Sequence, residues 1–201
     1  MVDLLDKFRR FIGILLILIG VSIIGTVVYK KMVTSNKQNE VLESFENQLK
    51  EDNTNNESHE DVNLDSINGY TPIAIMEIPS IRLKQPVVEG VTEDVIKYFL
   101  GKFPESAMPG EVGNFSVAGH RVSDFTDAFI NLYKVKPGDK VIVTTKSGKY
   151  TYEVDESFIV EPEQVEVLDT ADYEKITLIT CTIGSKRRVI VTGRLIDKSE
   201  K

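Results

Sequence analysis

Cysteine, histidine and tryptophan are all scarce in this chain. Its 201 residues hold one cysteine, Cys181, two histidines, His59 and His120, and no tryptophan. A single cysteine excludes an intramolecular disulfide framework, so cysteine usage does not reveal the compartment. Two histidines 61 positions apart and one thiol form no zinc-ligand spacing. Basic charge is in deficit as well. The 24 Lys and Arg against 31 Asp and Glu leave a formal charge of −7, which argues against nucleic acid as a partner. Alanine is missing until Ala74.

That last absence bears on the N-terminus. Residues 11–29 carry no charge and are rich in Ile, Leu and Val. At 1.5 Å per residue these 19 positions approach the roughly 30 Å of a bilayer's hydrocarbon core. A buried amphipathic helix would show a polar face, and this run has none. A cleaved signal peptide needs small residues of the A-x-A kind after the apolar stretch, and no alanine is available there. The run therefore reads as an uncleaved, single-pass anchor behind a ten-residue N-terminus. Lys7, Arg9 and Arg10 precede it and Lys30, Lys31 and Lys37 follow, so the positive-inside count is nearly balanced and leaves the orientation open.

Residues 30–68 read as a polar, acidic linker. From Asn36 to Asn68 nine acidic residues face two lysines, too little apolar surface to offset the entropy of ordering. Val41, Leu42, Phe45 and Leu49 have helical spacing. A short helix there would either pack on the domain or continue the membrane helix outward. His59 falls in this linker and reads as solvated.

Beyond Gly69 the pattern changes to short β runs with turn punctuation. Strands are expected at 73–78, at 81–88 with Pro86 marking an edge, at 114–118, 140–145, 149–154 with a continuation at 158–160, at 176–180 and from 188. A helix is expected from Thr92, closed by Gly101, and a short helical turn near 125–132. Seven or eight such strands indicate an all-β barrel over residues 69–201.

Cys181 ends one strand of this set and Arg188 opens the next, with six residues between them. In a hairpin ladder, opposed Cα atoms lie roughly 4.5–5.5 Å apart. A guanidinium beside a thiol lowers its pKa and can stabilise an oxyanion. A lone cysteine on a strand reads first, however, as an inert core residue, because free Cys is among the most buried residue types.

Three motifs add weight to the catalytic reading. Thr177-Leu178-Ile179-Thr180-Cys181 resembles the TLxTC signature of sortases, the cysteine transpeptidases of Gram-positive cell surfaces. Asn114-Phe115-Ser116-Val117-Ala118-Gly119-His120-Arg121 is similar to the segment carrying that family's catalytic histidine, and Arg188-Val189-Ile190-Val191-Thr192-Gly193 to the strand that opens with its arginine. The resemblance covers residues 69–196. It implies an eight-stranded sortase β-barrel with its N-terminus in the cytoplasm and its catalytic domain outside the cell membrane.

It also implies roles. Cys181 would attack the Thr–Gly carbonyl of a Leu-Pro-x-Thr-Gly-like sorting signal on a secreted surface protein, giving a thioacyl-enzyme. His120 would move the protons, and Arg188 would hold carbonyls and the oxyanion. Ala118 and Thr180 would shape the peptide groove. The acceptor would be an amine of a peptidoglycan precursor or of a pilin. No cofactor is required, although some sortases bind calcium through loop carboxylates. Glu105, Glu111, Asp124, Glu161 and Glu163 are candidates for that, or else simply solvated. There is no Asp-Pro-aromatic lid and no room between Val160 and Ile176 for a long helical insertion, which leaves a class A-like or class D-like member. Strand alternation does not choose between Arg187 and Arg188, while the family pattern fits Arg188. A hydrolytic or pilin-polymerising sortase and a silent peptide-binding barrel are the rival readings.

Overall fold

The computed structural model describes residues 2–52, 66–123, 125–126 and 128–200; His59 and Asp124 lie outside the described residues, as does the middle of the acidic linker. Eight strands close into a barrel: β1 (Pro72–Ile78), β2 (Leu83–Glu89), β3 (Leu100–Lys102), β4 (Gly113–Ala118), β5 (Lys140–Thr144), β6 (Gly148–Val160), β7 (Glu174–Cys181) and β8 (Arg188–Glu200). Their order around the barrel is β1-β2-β3-β4-β7-β8-β6-β5. Six neighbouring pairs are antiparallel, and two, β2 with β3 and β4 with β7, are parallel. Parallel neighbours need a crossover. That of β4 with β7 carries the whole β5–β6 hairpin.

Alternation along each strand sorts the side chains. Met76, Ile78, Val87, Phe115, Val117, Tyr152, Ile176, Leu178 and Val191 point inward and form one core. Fully burying a side chain of this kind stabilises by about 1.5–3 kcal/mol.

The segment expected as one helix closed by Gly101 divides differently. A short helix α2 (Glu93–Ile96) stops early, and by Leu100 the chain is extended in β3. Gly101 is a strand residue, opposite Val88 on one side and Ala118 on the other. A Cβ there would stand 2.4 Å from the Gly90 carbonyl oxygen, so close backbone approach explains the glycine. Pro86 pairs with Ile75 on β1, and the ladder to β3 begins only at Val87. Its missing N–H therefore falls where β2 has a single neighbour. Residues 149–160 form one long strand bent by a register shift between Val154 and Glu156. Of the stretch expected to turn near 125–132, residues 128–131 do so, and a single 3-10 turn, Leu132–Lys134, follows.

The apolar run lies within one uninterrupted helix, α1 (Val2–Asp52). Its large side chains from Phe11 to Tyr29 are exposed, and the helix is long and apolar enough to cross a membrane. Residues 41–49 both continue the helix that begins with the apolar run and pack on the barrel. Val41, Phe45 and Leu49 are buried against Ile75, Val88, Phe99 and their neighbours. Lys84 binds Glu46 at 2.8 Å, and Lys37 stands 4.4 Å from the centre of the Tyr98 ring. This helix covers Ile75 and Val88 on the outer faces of β1 and β2.

Candidate active site

The register of β7 against β8 places Cys181 opposite Arg188, Ile179 opposite Ile190 and Thr177 opposite Thr192. Cross-strand partners share a face, and Leu178 with Val191, on the alternate positions, belongs to the core. Cys181 and Arg188 therefore stand together on the outer face of the barrel wall, each half-buried. Arg187 precedes the ladder and is exposed. The guanidinium of Arg188 lies over the hairpin loop, its Nη1 3.4 Å from the carbonyl oxygens of Ser185 and Arg187. That loop turns through Gly184 and Ser185, both with positive φ.

His120 reaches the same place through the parallel pairing of β4 with β7. Ala118 aligns with Ile179, on the face that carries Cys181. Two bonds from β7 then grip Gly119: its N–H donates to the Ile179 carbonyl at 3.1 Å, and the Thr180 hydroxyl donates to the Gly119 carbonyl at 2.7 Å. A Cβ on Gly119 would lie 2.6 Å from Leu100 Cδ2 and 2.7 Å from Phe129 Cδ2, so a side chain would push this corner apart. The next carbonyl, that of His120, accepts from the Phe129 N–H at 2.9 Å. His120 thus leaves the barrel rim from a backbone held on both sides.

A cavity of about 330 Å³ contains His120, Arg121, Ile130, Cys181 and the loop residues Ile183 and Ser185. The structure therefore brings His120 and Cys181 to one cavity, with Arg188 beside Cys181 on the ladder. Ala118 and Thr180 are not part of its lining. Thr180 is 2% exposed and spends its hydroxyl on Gly119, so what it does directly is hold the segment leading to His120.

Asn114 reads in the sequence as nothing more than a strand residue. Its amide nitrogen donates to the carbonyls of Val167 and Asp169, both at 3.0 Å, and its Oδ1 accepts from the Thr177 hydroxyl at 2.7 Å. This buried network ties β4, β7 and the connection before β7 into one unit. Ile130 is equally silent in the sequence, because nothing local marks it as a cavity residue. Arg121, adjacent to His120, has its guanidinium carbon 4.7 Å from the centre of the Tyr133 ring.

Among the described residues, no three His, Cys, Asp or Glu side chains converge as a metal site. Glu105, Glu161 and Glu163 are exposed, and Glu111 accepts from the Met108 N–H at 2.9 Å.

Comparisons with known proteins bear on the family and the fold. The family pattern of the sortase domain matches residues 76–196. A sortase A of Bacillus anthracis is 27% identical over 98% of this chain and 98% of its own length. A sortase A of Streptococcus agalactiae is 35% identical over 59% of this chain, although the match spans half of that protein. Among solved structures, a sortase D5 transpeptidase of Clostridium perfringens superposes with a TM-score of 0.64 at 33% identity, covering 84% of this chain and 99% of that one. With a family pattern matching well over half of its length on a closed eight-stranded barrel, the chain belongs to the sortase family of cysteine transpeptidases.

Proposed function

We propose that this sortase is held in the cell membrane by residues 11–29 and works outside it, with residues 69–201 as the catalytic barrel. It cleaves an LPXTG-like sorting signal between Thr and Gly and transfers the surface protein to a cell-wall amine. The observation that carries the reading is the pairing of Cys181 with Arg188 on the outer barrel face, beside the cavity that holds His120.

The chemistry follows from the groups present. The Cys181 thiolate adds to the threonine carbonyl carbon, and the oxygen takes the negative charge beside the Arg188 guanidinium. The tetrahedral species collapses by breaking the C–N bond. Protonated His120 gives its proton to the departing glycine nitrogen, leaving a thioester and a neutral imidazole. An incoming amine attacks that thioester, His120 takes the amine's proton, and Cys181 leaves as thiolate. Protons and charges return to their starting places.

The test uses the full chain in detergent, a panel of sorting-signal peptides and candidate amines. Products identified by mass should be Thr–amine conjugates, with a thioacyl adduct on Cys181 when no good amine is present. Hydrolysis alone, with every amine ignored, would instead favour a hydrolytic sortase. The absence of any adduct or product across the panel would count against the assignment.

A further inference from the structure

Where α1 meets the barrel, just past the end of the apolar run, lies a second cavity of about 320 Å³. This is within the range of small-molecule sites. Helix α1 supplies Lys31, Thr34 and Gln38, the turn into β2 supplies Arg82, and β2 itself supplies Gln85. Lys84 also lines it, but its ammonium is engaged by Glu46 at 2.8 Å and Glu77 at 3.9 Å. Among the described residues no carboxylate lines the cavity.

Two of the lining residues each hold a side-chain oxygen with no hydrogen-bond partner within the protein. One is Thr34 Oγ1, in a side chain 1% exposed, and the other is Gln85 Oε1. A buried polar atom left unpaired costs about 1–3 kcal/mol. Here two of them, one able to donate and one that accepts, belong to side chains that line the same cavity as Arg82.

The height of the cavity is informative. Thr34 follows Tyr29 by five residues of continuous helix, about 7.5 Å along the axis. If residues 11–29 fill the hydrocarbon core, Thr34 lies at the outer edge of the headgroup layer, which adds roughly 5–7.5 Å on each side. We propose that this cavity binds the headgroup of a phosphate-bearing membrane lipid with a free hydroxyl, of the phosphatidylglycerol kind. The Thr34 hydroxyl and the Arg82 guanidinium donate to the phosphate, and Gln85 Oε1 accepts from the headgroup hydroxyl. Ile130 lines both this cavity and the one containing His120 and Cys181, so an occupant bears on a wall of the candidate catalytic site.

This inference rests on the membrane reading above, and its test separates the two. The full chain is placed in nanodiscs of phosphatidylcholine with a minor share of phosphatidylglycerol, and lipids retained after release are weighed by native mass spectrometry. Wild type should keep one phosphatidylglycerol in preference to phosphatidylcholine. Thr34→Val and Arg82→Gln should each weaken that preference about tenfold, the scale of one lost charge-assisted bond. Thermal unfolding checks that both variants fold, and Arg82, being exposed, serves if the buried substitution does not. Equal retention by wild type and variants overturns the site and leaves water as the occupant. Displacement of the lipid by millimolar inorganic phosphate overturns the assignment to a lipid. A chain that does not enter the nanodisc overturns the membrane reading and this inference together.

Discussion

Two stretches of the barrel wall are built from similar strands and finished in opposite ways. At β1–β2 the outer face is apolar and covered over part of its length: Ile75 and Val88 lie beneath Val41, Phe45 and Leu49 of α1, while Glu77 and Lys84 on the same face stay partly exposed. At β7–β8 the outer face is uncovered at one end, and it is there that Cys181 and Arg188 stand. The packed side chains of the first fix the barrel to its helix, whereas the second leaves a thiol and a guanidinium half-exposed, as the proposed peptide transfer requires. Substitutions at the first should change stability, and substitutions at the second should change rate.

The largest effect is expected at the thiol. Cys181→Ala should abolish cleavage and transfer while leaving the thermal unfolding curve near that of wild type; turnover by this variant would remove the nucleophile assignment. Next comes the arginine pair. Losing one oxyanion donor costs about 10²–10³ in rate, and lysine cannot reproduce a planar fork. Arg188→Ala and Arg188→Lys should each lose at least about a hundredfold in kcat/KM, and Arg187→Ala should stay within a few-fold. The reverse outcome would mean that the guanidinium working at the site comes from the loop.

The covered wall gives the complementary experiment. Phe45→Ala removes a fully buried ring at the seam between helix and barrel, and should destabilise by about 3–5 kcal/mol. Denaturant unfolding of the full chain would measure this, with kcat/KM at low denaturant staying within a few-fold. A large loss of rate without loss of stability would erase the contrast between the walls.

The smallest effect belongs to Tyr152, whose hydroxyl accepts from the Gly110 N–H at 2.8 Å. Burial raises its pKa from the ordinary 10.0 to about 12. The folded state therefore holds this proton after the unfolded chain has lost it. Its contribution is fully present below pH 10, declines between about pH 10 and 12, and is gone above that. Tyr152→Phe should flatten the alkaline stability profile in that window and leave the profile near neutrality unchanged in slope. An unaltered alkaline slope would show that other groups set it.

Much of this was legible because it depends on local pattern. The runs at 140–144, 148–154 and 174–181 carry β-branched residues between turns, and Thr-Leu-Ile-Thr-Cys ends its strand as the spacing predicts. The choice between Arg187 and Arg188 was not legible from alternation, because both faces of β8 are apolar; the β7–β8 register sets which of them opposes Cys181. Gly101 misled for a related reason. A glycine after an apolar helical run suggests a cap, but here it answers to the Gly90 carbonyl from a different segment. The docking of α1 was equally hidden. Val41, Phe45 and Leu49 announce a helical stripe, and Ile73 to Ile78 reads as apolar with little alternation, yet neither says that the other is its partner. The Asn114–Thr177 bond joins residues 63 positions apart, and no local rule reaches that far.

The pairing of β4 with β7 has a consequence for how the enzyme comes into being. Long-range parallel contacts form slowly, because loop closure must be met before they yield any gain. The final strand, β8, is flanked by β7 on one side and β6 on the other, so the ring stays open until the C-terminal segment is in place. During synthesis Cys181 emerges before Arg188, and His120 stays apart from both while β5 and β6 assemble. A nascent or half-folded chain thus carries the thiol apart from His120 and Arg188, and the three come together in the same event that completes the barrel.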